Sequence, residues 1–230
     1  MSQNAATDKS SKSKESRPRR RSLNEPDLAD LQEGSPEKML LDAGVHCFGR
    51  QGLSGTSIRD IAQFAGVNSS QISYYYGSKE GLYKACVQFI GEAKLSMAEH
   101  SLRSPQSKKE FREQLEHFLS QMFSLLTENI DAGLLIVREY DRLHSPAEDI
   151  FRKTFMKIFD LLSHYFEEAK SKGLVSKSHD PFVLAGLFFG SMTSQMRMDH
   201  IKQRFYSRSL KNPEELEKVI GHLVDLFAPA

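Results

Sequence analysis

The chain has 230 residues, 39% of them hydrophobic and none of them tryptophan, enough for a sizeable core in one large or two small domains. A formal net charge of +1 gives no bulk attraction to nucleic acid, so any such role must come from a local motif. Cys47 and Cys86 sit at apolar helical positions without metal-ligand spacing, which favours reduced core thiols. The longest apolar run, Phe182 to Met192, is too short to cross a bilayer, so with no signal peptide read a cytoplasmic protein is expected.

Residues 1–33 are rich in Ser, Lys, Arg, Asp and Glu, offer little apolar surface, and are expected to form a disordered arm. Within that arm Arg17-Pro18-Arg19-Arg20-Arg21 is a basic patch that reads either as a DNA-touching arm or as a solvated tail. A first helix is expected from Ser35-Pro36 to Arg50-Gln51, stopping before Gly52, with Leu40, Ala43, Cys47 and Phe48 as its buried stripe. A short second helix begins after Thr56, read as its cap, and buries Ile58, Ile61, Ala62 and Ala65. Gly66 then supplies a positive-φ turn, Val67 plugs the space beneath, and Asn68 or Ser69 caps a third helix to Tyr76. Ile72 and Tyr76 anchor this third helix, leaving Ser69, Ser70, Gln71, Ser73 and Tyr74 as compact hydrogen-bonding groups suited to base edges and phosphates. Lys79 opens the fourth helix, where backbone amides and an ammonium can together hold a phosphate.

The ordered run Ser57-Ile58-Arg59-Asp60-Ile61-Ala62, Ala65-Gly66-Val67-Asn68 and Ile72-Ser73-Tyr74-Tyr75-Tyr76-Gly77-Ser78-Lys79-Glu80-Gly81-Leu82 resembles the DNA-binding domain of the TetR/AcrR family of bacterial transcription regulators. Departures from the usual pattern are Asn68 for a capping Ser, Ser73 for Tyr, Tyr75 for His and Tyr76 for Phe. The run ISYYYGSKEGLY, with Ile136-Val137-Arg138-Glu139-Tyr140, is similar to the CecR (YbiH-like) branch. The resemblance implies an all-α regulator: a three-helix helix-turn-helix head over 34–84, joined by a long helix to a helical ligand-binding and dimerisation domain over 85–230, about nine helices in all. It implies DNA contacts from Ser57, Arg59, Ser69, Ser70, Gln71, Ser73, Tyr74, Tyr75 and Lys79.

Helix four is expected from Ser78 to about Leu102, repeating Leu82, Ala85, Cys86, Phe89, Ile90, Ala93 and Met97. Further helices are expected over 108–128, 131–143 and from the Ser145-Pro146 cap to Lys172, where Gly173 ends the run. A helix opening at Asp180-Pro181 is apolar on nearly every face to Met192, and a last amphipathic helix runs from Asn212-Pro213 to Phe227.

Gly186 and Gly190 lie four apart with Ser194 on the same side and would let a partner helix approach; the family resemblance implies that this helix and the last one, with Leu216, Ile220, Leu223 and Phe227, form the homodimer interface. Arg138-Glu139 amid apolar neighbours must be paired or face a cavity. Met122, Phe155, Phe159 and Met192 read as core, yet with Arg138 they could equally line a small-molecule pocket. His164 with Glu167 and Glu168, and Glu113 with His117, have helical spacing for two ligands but lack a third, so no metal and no cofactor is expected. Nor is there a nucleophile with a base. The reading is a non-enzymatic regulator that binds a palindromic operator in double-stranded DNA as a homodimer and is released by an effector. The alternative is a DNA-binding structural or division-site factor of the same fold without an inducer.

Overall fold

The computed structural model describes residues 28, 31–140, 142 and 144–229. Among them every regular element is helical. The expectations for Arg17 to Arg21 lie outside the described residues. Leu28, by contrast, falls within the expected arm and is 1% exposed, and Leu31 packs on the core. The ordered fold therefore begins before residue 34, because these two leucines are apolar enough to dock.

Helix α1 (Pro36–Gly55) starts as expected, with Ser35 Oγ accepting from Lys38 N at 3.2 Å and proline at the first turn. Gly52, at φ 73° and ψ 171°, breaks the rod without ending it, and one more turn follows to Gly55. Thr56 does not cap the next helix. Its hydroxyl points back and donates to the carbonyls of Cys47 (3.1 Å) and Gly52 (2.7 Å), bracing the break at Gly52. Ser57 caps α2 (Ile58–Ala65) instead, through a capping box with Asp60. Gly66, at φ 67° and ψ 26°, ends α2, and Val67 N reaches back to the Ala62 carbonyl at 3.1 Å, closing the glycine turn.

Helix α3 (Ser70–Tyr76) gets its start from Asn68, whose Oδ1 accepts from Ser70 N at 2.9 Å; Ser69 makes no side-chain cap bond. Gly77 (φ 75°) turns the chain into α4 (Lys79–Ser101), capped by Ser78. The approach is so close that a Cβ at Gly81 would collide with the Tyr76 carbonyl. A longer arm would push the two helices apart.

The body comprises α5 (Lys108–Thr127), α6 (Ile130–Glu139), α7 (Glu148–Phe151), α8 (Lys157–Ser171), α9 (Pro181–Tyr206) and α10 (Pro213–Phe227). Helix α6 stops at Glu139 rather than Leu143. The proline at 146 disfavours helix ahead of it, and His144 takes a left-handed conformation (φ 61°). Between α7 and α8 the helix continues through a π-helical turn, Arg152–Met156, so the two form one rod and the described residues hold nine helical rods. Gly173 (φ 73°) and the bond from Leu174 N to the Ala169 carbonyl end it as expected.

A single buried cluster runs unbroken from Leu40, Phe48 and Ile72 in the head through Tyr83 and Cys86 on α4 to Phe118, Phe166 and Phe188 in the body. The head is therefore fused to the body, and α1 packs most extensively on α6. At Gly49 a Cβ would strike the Asp131 backbone, so that glycine is what lets α1 and α6 touch.

Candidate nucleic-acid interface and its supporting body

The geometry of the two short helices follows from a few anchors. Ile72 is fully buried, and the Tyr76 hydroxyl donates to the Glu37 carbonyl of α1 at 2.7 Å. These two residues, four apart, fix one face of α3 and leave the opposite face outward. Ser69, Ser70, Ser73 and Tyr74 are exposed there, Gln71 and Tyr75 are half-buried, and the Tyr74 and Tyr75 rings meet edge to face at 4.8 Å. The Gln71 Oε1 is enclosed without a hydrogen-bond partner among the described residues.

On α2, Arg59 is exposed and has no ion pair or hydrogen bond among the described residues. Ser57 is exposed but already engaged: its hydroxyl donates to Asp60 Oδ2 at 2.7 Å and accepts from Asp60 N at 3.2 Å. Those hydrogen bonds, with that from Ser57 N, hold the Asp60 carboxyl below its ordinary value. The negative charge stays at the N-terminus of α2, where the helix dipole favours it.

Lys79 departs from the expectation of a phosphate ligand. Its ammonium donates to the carbonyls of Leu53 and Thr56, both at 2.9 Å, and so closes the end of α1 and the entry to α2 onto the first turn of α4. The last carbonyls of a helix have no intrahelical amide to accept from, and a lysine at this spot donates to two carbonyls at the end of α1.

Arg138 is likewise not in a pocket. Its Nε donates to the Gly49 carbonyl and its Nη2 to that of Arg50, each at 3.2 Å, so it docks α6 against α1. Nor does it pair with Glu139. The Glu139 carboxylate is 4% exposed and accepts from the hydroxyls of Tyr83, on α4, and Ser145 (2.6 Å), with Arg142 at 4.0 Å. Burial and this carboxylate raise the Tyr83 pKa, keeping the phenol protonated as donor. Periodicity gave no warning of this network, although a glutamate at the end of an apolar helix was its one visible sign.

Met122, Phe155 and Met192 are essentially inaccessible, and Phe159 packs beside Phe182 and Phe189. Two clefts lie away from these residues: one of about 520 Å³ between α9 and α10, around Lys202, Tyr206, Arg208 and Leu226, and one of about 380 Å³ between α5 and α10. Of the expected pocket residues, Met122, Phe155 and Met192 thus form packed core, Phe159 borders it half-buried, and Arg138 lies at the α1 contact.

The expected dimer residues divide. Gly186, Gly190 and Ser194 are exposed along α9, and no atom lies within 4 Å of a Cβ placed on Gly190. Phe182, Val183 and Leu187 extend the same helix as exposed apolar side chains. Ile220 and Leu223 are buried, Leu216 is half-buried, and the Phe227 ring meets Phe188 at 5.1 Å. That face of α10 is turned into its own subunit, since an amphipathic terminal helix covers the nearest core first. No group of three potential metal ligands occurs among the described residues, and His164 makes only exposed contacts with Glu167 and Glu168.

A capped helix, a left-handed glycine turn and a second helix with a polar outer face, mounted on an all-helical body, define a helix-turn-helix DNA-binding regulator. Residues 40–86 match the family described as bacterial regulatory proteins, tetR family. The chain is 37% identical over 179 residues to the probable HTH-type transcriptional regulator YttP of Bacillus subtilis, covering 76% of this chain and 82% of that protein. The chain belongs to the TetR family. It is also 39% identical over 106 residues to the HTH-type transcriptional dual regulator CecR of Shigella flexneri, and 29% identical over 140 residues to the regulatory protein RaaS of Mycobacterium tuberculosis. Those matches cover 43% and 61% of this chain, and the chain spans only 47% of CecR and 59% of RaaS. The fold extends over the body as well: the crystal structure of FadR from Bacillus subtilis, in complex with stearoyl-CoA, superposes with a TM-score of 0.69 at 16% identity, covering 83% of this chain and 97% of that one. No described helix is long and apolar enough to cross a membrane.

Proposed function

We propose that the chain is a ligand-released repressor that binds a palindromic operator as a homodimer. The observation that carries this reading is the outward face of α3, where Ser70, Ser73 and Tyr74 stand exposed while Ile72 is fully buried beneath them. With Arg59 on α2 and the half-buried Gln71 and Tyr75, that face offers donors and acceptors for bases and phosphates. Ser57 and Ser69 contribute at the helix starts. The apolar, glycine-bearing outer face of α9 is the surface for a second copy, which would place two α3 helices about one DNA turn apart. An effector would enter the body and change the angle between body and head, lowering operator affinity.

Genome-wide mapping of bound sites, followed by anisotropy on the recovered sequence, tests the DNA-binding half. Inverted repeats spaced by one turn are expected, and binding without sequence preference would overturn it. A second reading, a DNA-binding structural factor without inducer, draws support from the closed packing around Met122, Phe155 and Met192. An effector screen against operator release separates the two.

A further inference from the structure

The long helix that carries the head has a glycine in its interior at position 91, in a stretch where a helix gains nothing from one. The reason is visible across the packing. A Cβ at Gly91 would lie 2.5 Å from Thr154 Oγ1, 2.8 Å from its Cβ and 3.0 Å from its Cγ2, so all three Thr154 side-chain atoms press on the bare backbone of α4. Thr154 sits in the middle of the π-helical turn Arg152–Met156, and its hydroxyl donates back to the Ile150 carbonyl at 2.8 Å. Such turns interrupt the regular ladder and are frequent where helices do work, and a threonine bonding one turn back bends its helix. The next residue, Phe155, is fully buried beside Phe151 and Tyr140, with ring centroids 5.1 and 6.3 Å away. The turn therefore has one side chain in the aromatic core of the body and the neighbouring one on α4.

We propose that the seat of Thr154 on Gly91 sets the angle at which α4 leaves the body, and that the π-helical turn is the movable element through which a change around Phe155 reaches the head. This rests on the reading of the chain as a ligand-responsive regulator. Gly91 lies twelve residues beyond Lys79, about 18 Å along the helix. A displacement at the seat is thus magnified at α3. Relaxing the π turn by one residue would rotate the side chains that precede it by about 100° and withdraw Thr154 from its place. Position 91 itself offers no side chain that could yield in its stead.

The test reads the distance from head to body within one chain, and so depends neither on an operator nor on a dimer. Spin labels on Ser73→Cys and Glu167→Cys, both exposed positions, are measured by pulsed EPR in the full chain diluted with unlabelled protein; Cys47 and Cys86 are buried and their thiols held protonated. In the Gly91→Ala background the modal distance is expected to shift by about 2 Å or more. Adding Thr154→Gly is expected to return it to the starting value. An unchanged distribution in folded Gly91→Ala protein overturns the proposal, and so does a shift that Thr154→Gly fails to reverse. Should Gly91→Ala not fold, Thr154→Ala is read instead: a shifted or broadened distribution supports the seat, and an unaltered one overturns it. Operator binding is scored separately on unlabelled Gly91→Ala and Gly91→Ala/Thr154→Gly chains that keep Ser73 and Glu167, so loss of the regulator reading is distinguishable from loss of the seat.

Discussion

His46 Nδ1 lies 2.6 Å from Asp131 Oδ2, and this pair joins the head to the body. Asp131 receives Arg50 Nε on its other oxygen at 2.9 Å, while the His46 ring stacks on Phe64 of α2 with centroids 4.0 Å apart. One carboxylate in the first turn of α6 therefore holds α1, and through the imidazole it also reaches α2, the first of the two helix-turn-helix helices. Asp131→Ala leaves two donors without their acceptor. The expected loss is about 2 kcal/mol, read as a melting temperature lower by about 4–8 °C. Asp131→Asn, which keeps an acceptor, should lose less. Equal melting of Asp131→Ala and wild type would show that the pair contributes nothing.

For Lys79 the geometry reverses the role suggested by its place in the sequence. With its ammonium on the Leu53 and Thr56 carbonyls, Lys79→Ala should weaken operator binding by loosening the turn ahead of α2, leaving the salt dependence of binding parallel to that of wild type. A phosphate contact would instead flatten the slope by about one charge. Anisotropy titrations over a range of potassium chloride concentrations separate the two outcomes.

Arg59, Gln71 and Tyr74 stand where bases and phosphates would be met. Alanine at a base-reading position should cost about 1–3 kcal/mol and relax preference at one operator position, whereas alanine at a phosphate-contacting position weakens all sequences alike. Competition binding with single-base operator variants distinguishes these patterns. Unchanged affinity and preference in all three variants would remove α3 from the interface.

The Asp60 carboxyl titrates below its ordinary range because Ser57 donates to it, from the side chain first and the backbone second. A depressed native value means that the stabilisation is complete above the unfolded carboxyl range and is lost as pH falls through the native value. Ser57→Ala should raise the Asp60 pKa toward the ordinary value, measured by side-chain carboxyl NMR titration. A titration curve unmoved by the substitution would refute the assignment of cause.

Two substitutions separate the outer face of α9 from the inner face of α10. Gly190→Arg meets open space in the single subunit, so the chain should fold and sediment as a monomer with weakened operator binding. Ile220→Ala removes buried methyl groups and should cost about 2–5 kcal/mol without changing the association state. A Gly190→Arg protein that sediments as a dimer places the interface elsewhere.

The helices themselves were legible because each carries its own punctuation: Ser35-Pro36, Gly66, Asp180-Pro181 and Asn212-Pro213 act within one turn of chain and need no tertiary help. The polar face of α3 was legible for the same reason, as Ile72 and Tyr76 alone fix its rotation. What escaped was pairing across large separations. His46 with Asp131, Tyr83 with Glu139 and Gly49 against Asp131 join residues 56 to 85 positions apart, and no periodicity records which partner a charge will find. The inner face of α10 was misassigned on the same account. Amphipathicity shows that Ile220, Leu223 and Phe227 seek a cover, but whether that cover is the same subunit or another is settled only by packing.

The buried carboxylate of Glu139 limits how this protein can be taken apart. Its two hydroxyl partners come from Tyr83, at the last stretch of what would be cut as a separate head, and from Ser145 in the body. A fragment ending near residue 84 would leave Glu139 behind with one donor gone and would expose Tyr83, Phe48 and the α1 face that α6 covers. Grafting this head onto a foreign sensor therefore demands that α6 travel with it. The portable unit is a discontinuous one, assembled from the first hundred residues and a ten-residue helix that the chain reaches only later.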